Sequence, residues 1–115
     1  MRKKNIINEN YLEKKPQRNP NINWKTDEVG IVTLEIENKG VANRIAQILI
    51  KKPKISYIHL DEMGSFIWPL IDGEKTITDI SVFVSNHFGE SANPLYERLI
   101  KFFTILESYN FVKID

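Results

Sequence analysis

Cysteine is absent from this 115-residue chain, which excludes disulfides, thiolate metal sites and a thiol nucleophile. Histidine occurs only as His59 and His87; neither has a second ligand at metal-binding spacing, so no metal site is read. No glycine-rich phosphate loop is present, and Ser56, Ser65, Ser81 and Ser85 lack the G-x-S-x-G setting of an activated serine. Asp72-Gly73 has no accompanying D-x-D-x-D-G ladder and reads as a turn rather than a calcium loop. Asp61-Glu62 reads as charge placed at a helix start. The expectation is therefore no catalytic residue, no metal and no cofactor. No apolar run approaches the ~18 residues of a membrane span, and MRKKNIINEN has no apolar h-region. A cytoplasmic protein without membrane contact is expected.

What is present suits one small domain. Hydrophobic residues make up 42% and aromatics 10% of the chain, enough for a modest core. The net charge of +1 hides an asymmetry: residues 1–54 carry 12 Lys+Arg against 6 Asp+Glu, and residues 55–115 carry 4 against 9. The plain reading of that asymmetry is solvated surface.

Residues 1–21 are polar, with Lys14, Lys15, Pro16, Arg18 and Pro20, and read as a flexible arm; the domain proper is assigned to residues 22–115. Ile22 and Trp24 alternate with polar neighbours, Asp27 to Gly30 supplies a turn, and Val32, Leu34 and Ile36 alternate with Thr33, Glu35 and Glu37. This predicts an antiparallel hairpin. Val41, Ile45, Ile48 and Leu49 fall at helical spacing before Pro53. Residues 55–60, ISYIHL, have strand propensity. Asp61 is a plausible N-cap for a helix whose apolar face is Met63, Phe66, Ile67, Leu70 and Ile71; Pro69 within it predicts a kink or an early end. Thr76 and Asp79 form a variant capping box ahead of a buried stripe of Ile77, Ile80, Phe83, Val84 and Phe88. Asn93-Pro94 reads as N-cap and first turn of a last helix that runs to about Tyr109, with Asn110 as a left-handed cap and a short strand at residues 111–114.

On a helical wheel Leu95, Leu99, Phe103 and Leu106 point one way. Phe102, Ile105 and Tyr109, with Arg98 among them, flank one side; Tyr96 and Ile100 flank the other. The apolar arc is much wider than the ~100° a surface helix needs. Either the domain encloses this helix as plain core, or one flank is half of a groove for an apolar segment. The order of strand, helices and longer helix also suggests a winged helix, and with it a DNA-binding regulator. Arg98 and Lys101 are offset by Glu97 and Glu107 in an acidic half, which repels phosphate, so no nucleic-acid partner is expected.

The strand at residues 55–60, then LDEMGSFIWPLIDG, TITDI and NPLYERLIKFFTILESYNFV, resembles the PqqD family, named for a protein of pyrroloquinoline quinone biosynthesis. The resemblance covers residues 22–114. It implies an α+β fold, a small winged-helix-like domain with a three-stranded antiparallel sheet followed by three helices. The segment at 39–53, with its short helix, looks like an insertion before the third strand. The implied role is that of a RiPP recognition element, a non-enzymatic adaptor. It binds the leader of a ribosomally made precursor peptide by strand addition and presents it to a modifying enzyme, often a radical SAM protein. Carried onto this chain, the peptide edge is Lys54, Ile55, Ser56, Tyr57, Ile58 and His59. The facing helix contributes Arg98, Phe102, Ile105 and Tyr109. Lys51, Lys52 and Lys54 would favour acidic residues in the peptide. The alternatives are a winged-helix DNA-binding regulator and a structural subunit that dimerises through the same edge; the chain is expected to be a monomer or a homodimer.

Overall fold

The computed structural model describes residues 10–37 and 55–115. The helix read between Val41 and Pro53, the insertion at 39–53 and the lysines Lys51, Lys52 and Lys54 lie outside the described residues, as do residues 1–9.

The hairpin forms as its alternation dictates. Strand β2 (Asn23–Thr26) pairs antiparallel with β3 (Val32–Glu37), Trp24 facing Leu34. The Asp27 carboxylate closes the turn by accepting the N–H groups of Val29 and Ile31, and Gly30 takes the positive φ of 91° that the turn requires. Strand β4 (Ile55–His59) pairs antiparallel with the other side of β3, giving the order β2-β3-β4. The expected α+β architecture with a three-stranded antiparallel sheet is thus observed.

Polar residues hid one element. Pro16–Arg18, assigned by sequence to the flexible arm, is a strand, β1, which pairs with the C-terminal strand β5 (Val112–Ile114) as a second, two-stranded sheet. Its side chains carry no apolar pattern because backbone bonds and one guanidinium hold it. Lys15 N–H donates to the Asp115 carbonyl and Asn19 N–H to that of Phe111. Arg18 Nη1 donates to the carbonyls of Trp68 and Pro69, both at 3.1 Å.

Those two carbonyls also account for Pro69. Helix α1 (Glu62–Ile67) stops before it, and residues Trp68–Leu70 continue as a single 3-10 turn with the proline in its first positions. There the missing N–H costs nothing, and the carbonyls freed by the early end find Arg18. At the other end of α1, Asp61 accepts from Gly64 N–H at 2.7 Å. Buried Ser65 accepts the Val32 N–H at 2.8 Å and donates to the Leu60 carbonyl. Its hydroxyl thereby replaces the last rung between β3 and the end of β4 and pins the helix to the sheet.

Helix α2 (Ile77–Phe88) starts with the expected capping box, Thr76 and Asp79 bonding reciprocally. Its inward face is Ile77, Ile80, Ser81 and Val84. Phe83, expected in that stripe, is 45% exposed beside exposed Val82, because small Ser81 takes the inner position next to Ile80 and turns Phe83 outward. Phe88 is half-buried. Helix α3 (Leu95–Ser108) begins one residue later than its sequence suggests, with Pro94 at the cap position. Asn93 belongs to the preceding 3-10 turn (Gly89–Ala92), its N–H donating to the Glu90 carbonyl. Asn110 follows with a φ of 66°, the left-handed cap expected. Val32 and Leu34 from the sheet, Ile67, Trp68 and Ile71, Ile77, Ile80 and Val84, and Leu99, Phe103 and Leu106 close one core.

Candidate functional site

Helix α3 is not enclosed all round. Leu99 and Phe103 are fully buried, yet Ile105 is 44% and Tyr109 65% exposed. The flank carrying Phe102, Ile105 and Tyr109 faces β4 across a groove of about 550 Å³. The strand side of the groove is Ile58, His59, Leu60 and Asp61; the helix side is Phe102, Ile105, Leu106 and Tyr109, with Phe111 closing one end. The aromatic wall is braced from behind: the Phe102 ring meets Phe103 edge-on at 5.3 Å, and Tyr109 stacks on Phe111 at 5.5 Å. The interior is apolar, with polar groups at the strand end. His59 Nδ1 lies 2.8 Å from Thr33 Oγ1 on β3. The second carboxylate oxygen of Asp61 is left over from helix capping.

The groove runs along a sheet edge. Among the described residues no strand pairs with the outer side of β4. Antiparallel ladders alternate, and Leu60 N–H donates to the Val32 carbonyl. Leu34–Ile58 is therefore also a hydrogen-bonded pair, while Thr33–His59 and Glu35–Tyr57 are not. The N–H and C=O groups of Tyr57 and His59 consequently point away from β3, out of the sheet. Pleating does the complementary work for the side chains. Ile58 and Leu60 turn toward the groove and the core, while the Tyr57 ring stands exposed on the opposite face.

Five residues proposed from sequence thus meet at one place: Ile58, His59, Phe102, Ile105 and Tyr109. Ile55 and Ser56 lie on the same strand short of the groove, and Tyr57 contributes only its backbone edge. Arg98 is elsewhere; its guanidinium donates to the Ser91 carbonyl at 2.9 Å and ties α3 to the preceding turn. Lys54 is outside the described residues. Leu60, Asp61, Leu106 and Phe111 were not foreseen as lining. Leu106, one turn beyond Phe102, was assigned wholly to the core, and Asp61 only to helix capping.

No group of three or more His, Cys, Asp or Glu side chains that could hold a metal ion occurs among the described residues. No helix among them is long and apolar enough to cross a membrane.

Residues 32–112 match the family model described as Coenzyme PQQ synthesis protein D (PqqD). No curated protein and no solved structure matches the chain significantly.

Proposed function

The chain belongs to the PqqD family, whose model spans residues 32–112, and from that premise we propose that it is a non-enzymatic peptide-binding adaptor. Family membership supports an accessory role in a biosynthetic pathway of the kind the family is named for. The finer reading is that a leader segment of a precursor peptide adds as a strand to β4 and lays alternate side chains into the groove under α3. A modifying enzyme, of radical SAM type, then receives the peptide from this complex.

The observation that carries the reading is the coincidence of two features. The edge of β4 offers the N–H and C=O groups of Tyr57 and His59, and an apolar groove lies directly beside that edge. Backbone pairing gives affinity to any extended chain, and the groove selects which side chains are accepted. The bound peptide can be a product of a neighbouring short gene, and its pathway need not be quinone synthesis.

Isothermal titration against short peptides encoded beside this gene tests the proposal, with saturable binding expected for one of them. No binding at high micromolar peptide would contradict it. Tyr57→Pro supplies the structural arm. The Tyr57 N–H faces outward, so proline removes a donor from the open edge without breaking a rung to β3. Affinity should fall at least tenfold in a folded variant, and retained affinity would overturn strand addition.

A further inference from the structure

The two ends of the groove differ in chemistry. At its middle, Ile58, Phe102, Ile105 and Leu106 offer only carbon. At the strand exit stands the Asp61 carboxylate. Its Oδ1 accepts the Gly64 N–H, while Oδ2 meets no N–H or ammonium among the described residues. The other titratable residues of the lining are His59 and Tyr109, and among the described residues no lysine or arginine is part of it. Asp61 is exposed, so a cation brought to Oδ2 need not be stripped of its water.

Resting on the strand-addition reading above, we propose that the site selects peptides with a bulky apolar residue and, two positions from it along the strand, a lysine or arginine, which precedes it if the peptide runs antiparallel to β4 and follows it if parallel. The spacing follows from the ladder. A peptide residue opposite Ile58 shares its face and enters the apolar part of the groove. The next residue on that face is two along, opposite Leu60, where it passes Asp61. A glutamate or aspartate there would meet the Asp61 carboxylate with no compensating cation among the described lining residues, so acidic side chains are rejected at this position. The preference is local to the Asp61 end and is independent of any charge at the start of β4.

Display of random ten-residue peptides on the full-length wild-type chain and on Asp61→Asn provides the test. Asparagine keeps the helix cap and removes only the charge. Wild type should enrich a bulky apolar residue with Lys or Arg two positions to one side of it, and Asp61→Asn should keep the apolar preference and lose the cationic one. Synthetic Lys and Ala versions of one enriched peptide should differ about two- to fivefold in affinity for wild type, as expected of a partly solvated ion pair. That ratio should shrink toward one in about 0.5 M salt, a readout that needs no variant. Enrichment of apolar residues without a cation, or the same cationic preference in Asp61→Asn, overturns the selectivity and leaves the groove reading intact. No enrichment with either protein overturns both.

Discussion

Residues 60–80 and helix α3 are alike in apolar content but opposite in what they do with it. In the first stretch Ile67, Trp68, Ile71, Ile77 and Ile80 are all fully buried. Asp61, Ser65 and Thr76 fix the angles at which its pieces meet. In α3 the same kind of residue is divided. Leu99 and Phe103 complete the core, and Ile105 and Tyr109 remain 44% and 65% exposed beside a strand edge that no described strand pairs. Apolar residues whose burial the fold itself completes stabilise the domain. Those left standing against backbone groups that no described strand pairs are the ones the proposed function uses. The difference separates scaffold from site without any catalytic signature.

Paired truncations should break the two regions apart, and they carry the largest expected effect. Trp68→Ala removes a fully buried ring that meets Trp24 edge-on at 6.4 Å and should cost about 3–5 kcal/mol in chemical denaturation. Ile105→Ala should cost less than about 1 kcal/mol of stability and yet weaken peptide binding about tenfold or more. Equal effects of the two on stability would erase the distinction between scaffold and site.

Gly64 lies where the two regions touch, and its substitution has an intermediate effect. A Cβ there would stand 3.0 Å from both Asp61 Oδ1 and Phe102 Cε1. Gly64→Ala should therefore disturb the helix cap and push the Phe102 ring. The expected cost is about 1–3 kcal/mol in stability, with a loss of peptide affinity beyond that of a distant substitution of equal cost. Unchanged affinity in a destabilised variant would place Phe102 outside the binding wall.

Much of this was legible in the chain. Period-two alternation marks β3, the 3.6-residue period marks α2 and α3, and the capping signals at Asp61, Thr76 and Asn110 lie where the turns are. The width of the apolar arc on α3 points to the groove, and the family resemblance chooses which flank faces it. Three features escape because their cause is tertiary. Pro16–Arg18 has no strand pattern, since its stability comes from pairing with β5 and from Arg18 reaching carbonyls some fifty positions away. Phe83 looks like core on its own helix, but no described element covers its side of α2. Arg98 shares the wheel sector of Phe102 yet bends back to Ser91, which a wheel cannot represent.

The smallest expected effect concerns the turn that joins the two halves of residues 60–80. A hydrogen bond from the Lys75 ammonium, together with the N–H groups of Lys75 and Glu74, holds the Asp72 carboxyl well below its ordinary value. A depressed folded value means that the stabilisation is present above the ordinary carboxylate range and is lost as the pH falls below about 4. Asp72→Asn should flatten that acid limb slightly in thermal melts and leave peptide affinity at neutral pH unchanged, because Asp72 is exposed and neither it, Glu74 nor Lys75 lines the groove. A change in affinity would tie the turn to the site.

Hydrogen exchange at individual amides of β4 tests strand addition most directly. The N–H groups of Tyr57 and His59 point outward, while that of Ile58 is already bonded to β3. In the free protein Tyr57 and His59 should exchange rapidly and Ile58 slowly. With a saturating bound peptide, protection should rise at Tyr57 and His59 and stay unchanged at Ile58. A saturated complex in which these two amides still exchange at their free rates would show that the peptide does not pair with this edge.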